Sequence, residues 1–306
     1  MERSALSTQA EIEALLARHG NGAGWVPLAR AITKIENSPP WEIALPIPGR
    51  PVHIVGITGP PGVGKSTLTG RLIEAYAGAG ARVAVLAIDP SSPITGGAVL
   101  GDRIRMETYL MGRDDVFVRS LASRGSHGAI ASSTRNVARL LELSDSFDVI
   151  LIETVGAGQT EVAIAELADT IALVTVPGLG DAVQAIKAGL MEVADLIVVN
   201  MADRPGVSET LRHFRLTLGQ EIPVAKTVAT EGTGVDNLHE QLDKRWETLG
   251  QNGALQAVRA RKRAREAALT AEAWTRALAD ELVDEHDDLH TAVKRILEEA
   301  ARRWSA

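Results

Sequence analysis

Gly59-Pro60-Pro61-Gly62-Val63-Gly64-Lys65-Ser66 is the stretch that decides how this chain is read. It fits G-x-x-x-x-G-K-[ST], a loop whose backbone amides surround phosphates, whose lysine reaches the β- and γ-phosphates and whose hydroxyl meets Mg²⁺. The flanks agree. Residues 52–57 form an apolar run suited to a preceding strand, and residues 66–77 carry a helical pattern. A glycine-rich loop arising by chance would lack that setting. The following helix directs its unpaired amides and positive dipole end at the same phosphate. Pro61, Gly62, Val63, Gly64, Lys65, Ser66 and Thr67 are therefore the candidate phosphate-binding residues.

Working outward, candidate strands recur at 83–88, 116–119, 149–152, 171–176, 196–200 and 224–227. Most are near-continuous apolar runs, the pattern of a sheet buried on both faces, and helical patterns separate them. The expectation is an α/β fold: a doubly wound, mostly parallel P-loop NTPase sheet over residues 51–249. Residues 1–50 read as an N-terminal helical extension that ends near Asn37-Ser38-Pro39-Pro40. After the break Gly250-Gln251-Asn252-Gly253, residues 250–306 read as a C-terminal helical arm. Trp274, Leu278 and Leu282 share one helical face there, and Leu289, Val293, Ile296 and Leu297 share another. Such faces need cover, from the main domain or from a second subunit.

Composition narrows the function classes. The 306 residues are 45% hydrophobic and carry a net charge of −7, so no general attraction to nucleic acid or anionic membrane is expected. There is no cysteine, hence no disulfide framework or thiolate chemistry. The N-terminus lacks a signal-peptide pattern, and no run of about 18 apolar residues suggests a membrane span. A cytoplasmic protein is the expectation.

A γ-phosphate site needs acids to organise Mg²⁺. Asp89 and Glu153 stand just past two predicted strand ends, where a doubly wound sheet binds ligands. Asn200-Met201-Ala202-Asp203 follows another strand, where GTPases use Asn-Lys-x-Asp. The Asp203 carboxylate would accept from guanine N1 and N2, and Asn200 would brace the loop. Met201 replaces the lysine, and its thioether can still cover an aromatic face. Val228, Ala229 and Thr230 follow the last strand, where a backbone amide would meet guanine O6.

Longer motifs give the chain a family likeness. They are Gly-Pro-Pro-Gly-Val-Gly-Lys-Ser-Thr (59–67), Asp-Pro-Ser-Ser-Pro (89–93), Leu-Gly-Asp-Arg-Ile-Arg-Met (100–106) and Ser-Arg-Gly (123–125). Beyond these stand Glu-Thr-Val-Gly-Ala-Gly-Gln-Thr-Glu (153–161), Pro-Gly-Leu-Gly-Asp (177–181), Gln-Ala-Ile-Lys-Ala-Gly (184–189) and Thr-Val-Ala-Thr-Glu-Gly-Thr-Gly (227–234). With these the chain resembles the MeaB/ArgK group of P-loop GTPases, which includes the human methylmalonic aciduria type A protein. The resemblance implies a homodimeric GTPase that binds GTP, GDP and Mg²⁺. It implies a chaperone that gates cofactor loading of an adenosylcobalamin-dependent acyl-CoA mutase from a cobalamin adenosyltransferase, and that protects the mutase. By position, Ser66, Asp89, Asp102, Glu153 and Thr154 match the family's Mg²⁺ site. Arg105 matches a residue near the phosphates, and Gln159 lies in the switch after Glu153. Asp181 and Lys187 fall in a further switch that couples the mutase to hydrolysis. Met201 departs from the Asn-Lys-x-Asp signature, which bears on guanine affinity.

Two competing readings use the same loop. A metabolic kinase would need an acceptor pocket and a base, where this sequence has a base-reading loop and a switch-like Glu-Thr-Val-Gly. A nickel-chaperone GTPase would want a Cys- or His-rich tract, and cysteine is absent. His286 and His290, spaced i, i+4, lack a third ligand and read as helix surface. The basic run Arg259, Arg261, Lys262, Arg263 and Arg265 reads as a solvated or subunit-contact face.

Overall fold

Among the described residues, seven parallel strands form one sheet in the order β3-β2-β4-β1-β5-β6-β7. They are β1 (His53–Thr58), β2 (Val83–Pro90), β3 (Val116–Ser123), β4 (Val149–Thr154), β5 (Thr170–Thr175), β6 (Leu196–Val199) and β7 (Val224–Lys226). The computed structural model describes residues 2–22, 24–90, 109, 113–123, 127–154, 160–178, 193–218, 222–284 and 287–305. Within them lie helices α1 (Glu2–Gly20), α2 (Trp25–Glu36), α3 (Lys65–Gly78), α4 (His127–Leu143) and α5 (Thr160–Leu167). The later helices are α6 (Val207–Leu218), α7 (Val235–Gly250), α8 (Ala254–Leu282) and α9 (Leu289–Ser305). None of these is long and apolar enough to cross a membrane.

The period of two along each strand divides the core into layers. On β1, Ile54 packs with Leu28 and Ile32 of α2 and Leu140 of α4, while Val55 and Ile57 pack with Leu68 and Leu72 of α3 and Leu238 of α7. β4 follows suit, with Ile150 and Ile152 on the first side and Val149 and Leu151 on the second. Trp25 stacks on Phe147 at 5.3 Å and meets Phe117 at 5.5 Å, so the N-terminal helices complete a core layer. β1 lies between β4 and β5. The chain leaves β1 toward β2 on one side and crosses from β4 to β5 on the other. That reversal opens a crevice at the carboxyl end of β1, where the phosphate loop emerges.

Two expectations are corrected here. Asp89 and Glu153 are not in loops past the strands: they lie within β2 and β4. The ladders Asp89↔Ala122 and Ala87↔Glu153 continue because neighbouring strands still offer backbone partners there. The basic run is a solvated face only in part: Arg261 and Arg265 are exposed, but Arg259 and Lys262 turn inward. Arg259 of α8 donates to Asp169 through Nε (2.9 Å) and Nη2 (2.6 Å), to Glu142 through Nη1 (2.8 Å) and to the Val52 carbonyl (2.7 Å). Both acids also accept backbone amides at the start of β1: Glu142 from Val52 and Asp169 from Ile54. Lys262 donates to the Ala168 carbonyl, and Arg265 pairs with Glu166 at 2.9 Å. This clamp fixes the beginning of α8 beneath the sheet.

Farther along, α8 carries α9. Trp274 and Trp304 meet at 5.5 Å, and Arg303 donates to Glu281. The face expected on α9 stays largely in solvent, with Leu289 82%, Val293 45% and Leu297 59% exposed.

Candidate nucleotide site

Two glycines give the phosphate loop its shape. Gly59 has φ 143°, and a Cβ there would lie 2.1 Å from the Val174 carbonyl oxygen. Gly64 has φ 86° and starts α3 from the left-handed region. Lys65 is buried, and its Nζ donates to the carbonyls of Gly59 (2.6 Å) and Pro60 (2.9 Å), which holds the ammonium inside the loop's turn. Ser66 and Thr67 follow in the first turn of α3, where amides lack helical acceptors. Ser66 Oγ donates to Glu153 Oε1 at 2.7 Å. A hydroxyl of the P-loop motif and an acid from β4, 87 residues apart, thus meet at the mouth of the crevice.

Asn200 joins the remaining loops to this one. Its Nδ2 donates to the Val63 carbonyl at 2.9 Å. Its Oδ1 accepts from Thr227 Oγ1 at 3.0 Å and from the Ala229 amide at 3.1 Å. One buried side chain therefore ties the phosphate loop, the turn after β6 and the turn after β7. Met201 adopts φ 53° and packs against the α3 side of the core, its methyl 3.8 Å from where a Cβ on Gly64 would lie. That departure from the lysine signature thus covers the end of the phosphate loop. Asp203 is exposed at the rim. In the turn after β7, Val228 donates to the Thr233 carbonyl, while Thr230 is exposed.

The sequence profile described as methylmalonyl Co-A mutase-associated GTPase MeaB matches residues 28–286. The chain belongs to the MeaB family of GTPases. A relative in Pyrococcus horikoshii is 46% identical over 245 residues, 74% of this chain and 76% of that protein. GTPase ArgK of Escherichia coli is 36% identical over 252 residues, 76% of this chain and 75% of that one. The mitochondrial methylmalonic aciduria type A homolog of the mouse is 41% identical over 157 residues, 51% of this chain and 37% of that protein. Among solved structures, an LAO/AO transport system kinase superposes with a TM-score of 0.66 over 95% of this chain and 98% of that one. At 24% identity, that likeness shows the fold alone.

Within this MeaB-family site the remaining expected residues divide. Thr154 does not join Ser66 and Glu153. It is fully buried and donates to Thr58 Oγ1 at 3.2 Å. The alternation of β4 puts it on the side of Ile152, opposite Glu153. Asp89 is placed by its backbone on β2, opposite Ala122. Asp102, Arg105, Gln159, Asp181 and Lys187 lie outside the described residues, as does His286. Among the described residues no cluster of three His, Cys, Asp or Glu is arranged to hold a metal ion.

Two residues that shape the site escape sequence reasoning. Thr227 reads as a strand end and the first residue of the 227–234 motif, with no role assigned to its side chain, yet its hydroxyl supports Asn200. Arg71 of α3 donates to the carbonyls of Ala229 (3.0 Å) and Thr230 (2.8 Å). No motif marks Arg71, because its acceptors are 158 and 159 residues away.

Proposed function

We propose that this protein is a GTP-hydrolysing chaperone that gates cofactor loading and protection of an adenosylcobalamin-dependent acyl-CoA mutase. One observation carries the nucleotide part: Asn200 braces the phosphate loop and both base-side turns as a single unit. The mutase part is supported by the family's description as mutase-associated. Lys65 would neutralise charge on the β- and γ-phosphates, and Arg105 would add charge at the γ-phosphate. Asp203 would accept from guanine N1 and N2, and the Thr230 amide would meet O6. The oxygen donors of Ser66 and Glu153 fit Mg²⁺, with Asp89 and Asp102 as further ligands by position. When bound, that ion would offset phosphate charge. Gln159 would orient water, while Asp181 and Lys187 would couple the mutase to hydrolysis. The working compartment is the cytoplasm, and a cobalamin adenosyltransferase would supply the cofactor.

Calorimetry with Mg·GDP against Mg·ADP, then GTP turnover with and without a purified mutase, tests this reading. A preference for GDP and faster turnover with the mutase are expected. Equal binding of the two, or phosphoryl transfer to a small molecule without any protein partner, would overturn it.

Asp203→Asn tests the base contact alone. Hydrogen bonds to a charged group contribute about 1.5–3 kcal/mol each. At an exposed rim the lower end applies, so the GDP-over-ADP preference should fall by about 10- to 100-fold. Xanthosine diphosphate should gain, because the new amide can donate to its C2 carbonyl. Unchanged selectivity would remove this loop from base reading.

The C-terminal arm, residues 250–306, is proposed to pair with a second copy. Leu289, Val293, Leu297 and Trp304 fall within one arc of α9 and are all exposed. Leu289→Asp with Leu297→Asp should weaken a dimer at least about 100-fold, taking about 1.5 kcal/mol per buried leucine. Analytical ultracentrifugation reads it: a dimer of unaltered strength in the double variant would exclude this face.

A further inference from the structure

We infer that Arg71 sets the strength of the guanine O6 contact, by polarising the peptide group whose amide makes that contact. This rests on the base-reading proposal above. The turn after β7 engages its amides one by one. Val228 donates to the Thr233 carbonyl (2.9 Å), Ala229 to Asn200 Oδ1 (3.1 Å), Glu231 to the Val228 carbonyl (3.0 Å) and Gly232 to the Ala229 carbonyl (3.4 Å). Thr233 faces Val228 across an antiparallel bridge, whereas the Thr230 amide has no acceptor among the described residues and Thr230 is exposed. That N–H belongs to the same peptide group as the Ala229 carbonyl, which accepts from Arg71 Nε at 3.0 Å.

A cation donating to a carbonyl draws electron density along the peptide and makes the N–H at its other end a stronger donor. The donor end then favours the O6 acceptor of guanine and disfavours the 6-amino group of adenine. Arg71 remains charged at any working pH, and its planar fork fixes the direction of donation. The second carbonyl, Thr230 at 2.8 Å from Nη2, closes that fork on the turn.

The guanidinium is held from its other sides as well. Nη1 pairs with Glu74 at 2.9 Å, and the guanidinium carbon lies 5.8 Å from the centroid of the Tyr109 ring. The adjoining Gly70 leaves room for that ring: a Cβ there would come within 2.3 Å of it. Arg71 is thus fixed by an acid, an aromatic face and two carbonyls.

Affinities for GDP, 6-thio-GDP and IDP, each with Mg²⁺, separate the contacts. Sulfur at position 6 is a weaker acceptor but leaves N1–H and the 2-amino group in place. IDP lacks only the 2-amino group, which Asp203 would read. In Arg71→Gln the GDP to 6-thio-GDP affinity ratio should fall toward one by roughly threefold, the size of a 10–30% strengthening of one desolvated amide hydrogen bond. The GDP to IDP ratio should hold within about twofold, since that contact lies elsewhere. Equal loss for all three nucleotides would mean that Arg71 only shapes the turn and would overturn the inference, as would an unchanged ratio. Thr230→Pro removes the amide with Arg71 intact and should equalise GDP and 6-thio-GDP if Arg71→Gln does not fold. Continued discrimination between them by Thr230→Pro would also overturn it. If the unaltered protein binds GDP and ADP alike, the base-reading proposal itself fails, a result distinct from either.

Discussion

Lys65→Ala is expected to cut GTP turnover by at least about 100- to 1000-fold, the usual cost of removing one preorganised donor from developing charge. Phosphoryl transfer relies on positioning and charge neutralisation, so little else in the site can compensate. Lys65 is also part of the loop's own architecture, since it donates to the Gly59 and Pro60 carbonyls. The alanine variant therefore confounds a missing charge with a relaxed loop. Lys65→Met keeps the stem and removes only the ammonium. Both variants should be nearly inactive in a phosphate-release assay, and Lys65→Met should stay closer to the parent in thermal melting. Near-normal turnover in either would remove the P-loop from the chemistry.

Arg259→Ala should destabilise the fold by about 3–5 kcal/mol, because it strands two buried carboxylates without their cation. Asp169 is 2% and Glu142 7% exposed at the side chain, and both also accept backbone amides of β1. The ion pair is not the gain in itself: removing all three charges should cost far less than removing one. Arg259→Met with Asp169→Asn and Glu142→Gln, which remove the charges but keep acceptors for the Ile54 and Val52 amides, should recover much of the loss in urea denaturation. Equal instability of the single and triple variants would contradict this account. Neighbouring His53 belongs to the same buried region: its pKa is pushed down to about 3 by burial first, then by Arg259 and Arg245. It stays neutral at ordinary pH, stacked on Trp246 and bonded to Thr170.

The parallel sheet was legible because strands buried on both faces are written as unbroken apolar runs. Their ends were not. In sequence a run stops at its first acid, yet the backbone ladder continues to Glu153 as long as Ala87 lies opposite. Thr154 matched a family position by sequence, but strand alternation turns it to the side of Thr58. The phosphate loop and Asn200 were readable because each belongs to a short motif of fixed spacing, even though the Asn200 partners lie up to 137 residues away. Arg71 and Arg259 were not, because no such motif marks them and their acceptors come from distant parts of the chain. For the same reason the five basic residues read as one surface, when Arg259 turns inward as a clamp and Arg261 and Arg265 stay exposed. On α9 the apolar stripe was plain, though amphipathicity says only that a face needs cover.

The position of Asn200 has a thermodynamic consequence. Because one amide group spans three loops, nucleoside and phosphate should not bind as independent fragments. Whichever fragment arrives first orders the loops that the other needs, and the entropy of that ordering is lost only once. Guanosine and pyrophosphate added together should each bind more tightly than alone, and a change at Asn200 should erase that cooperativity along with affinity for either half.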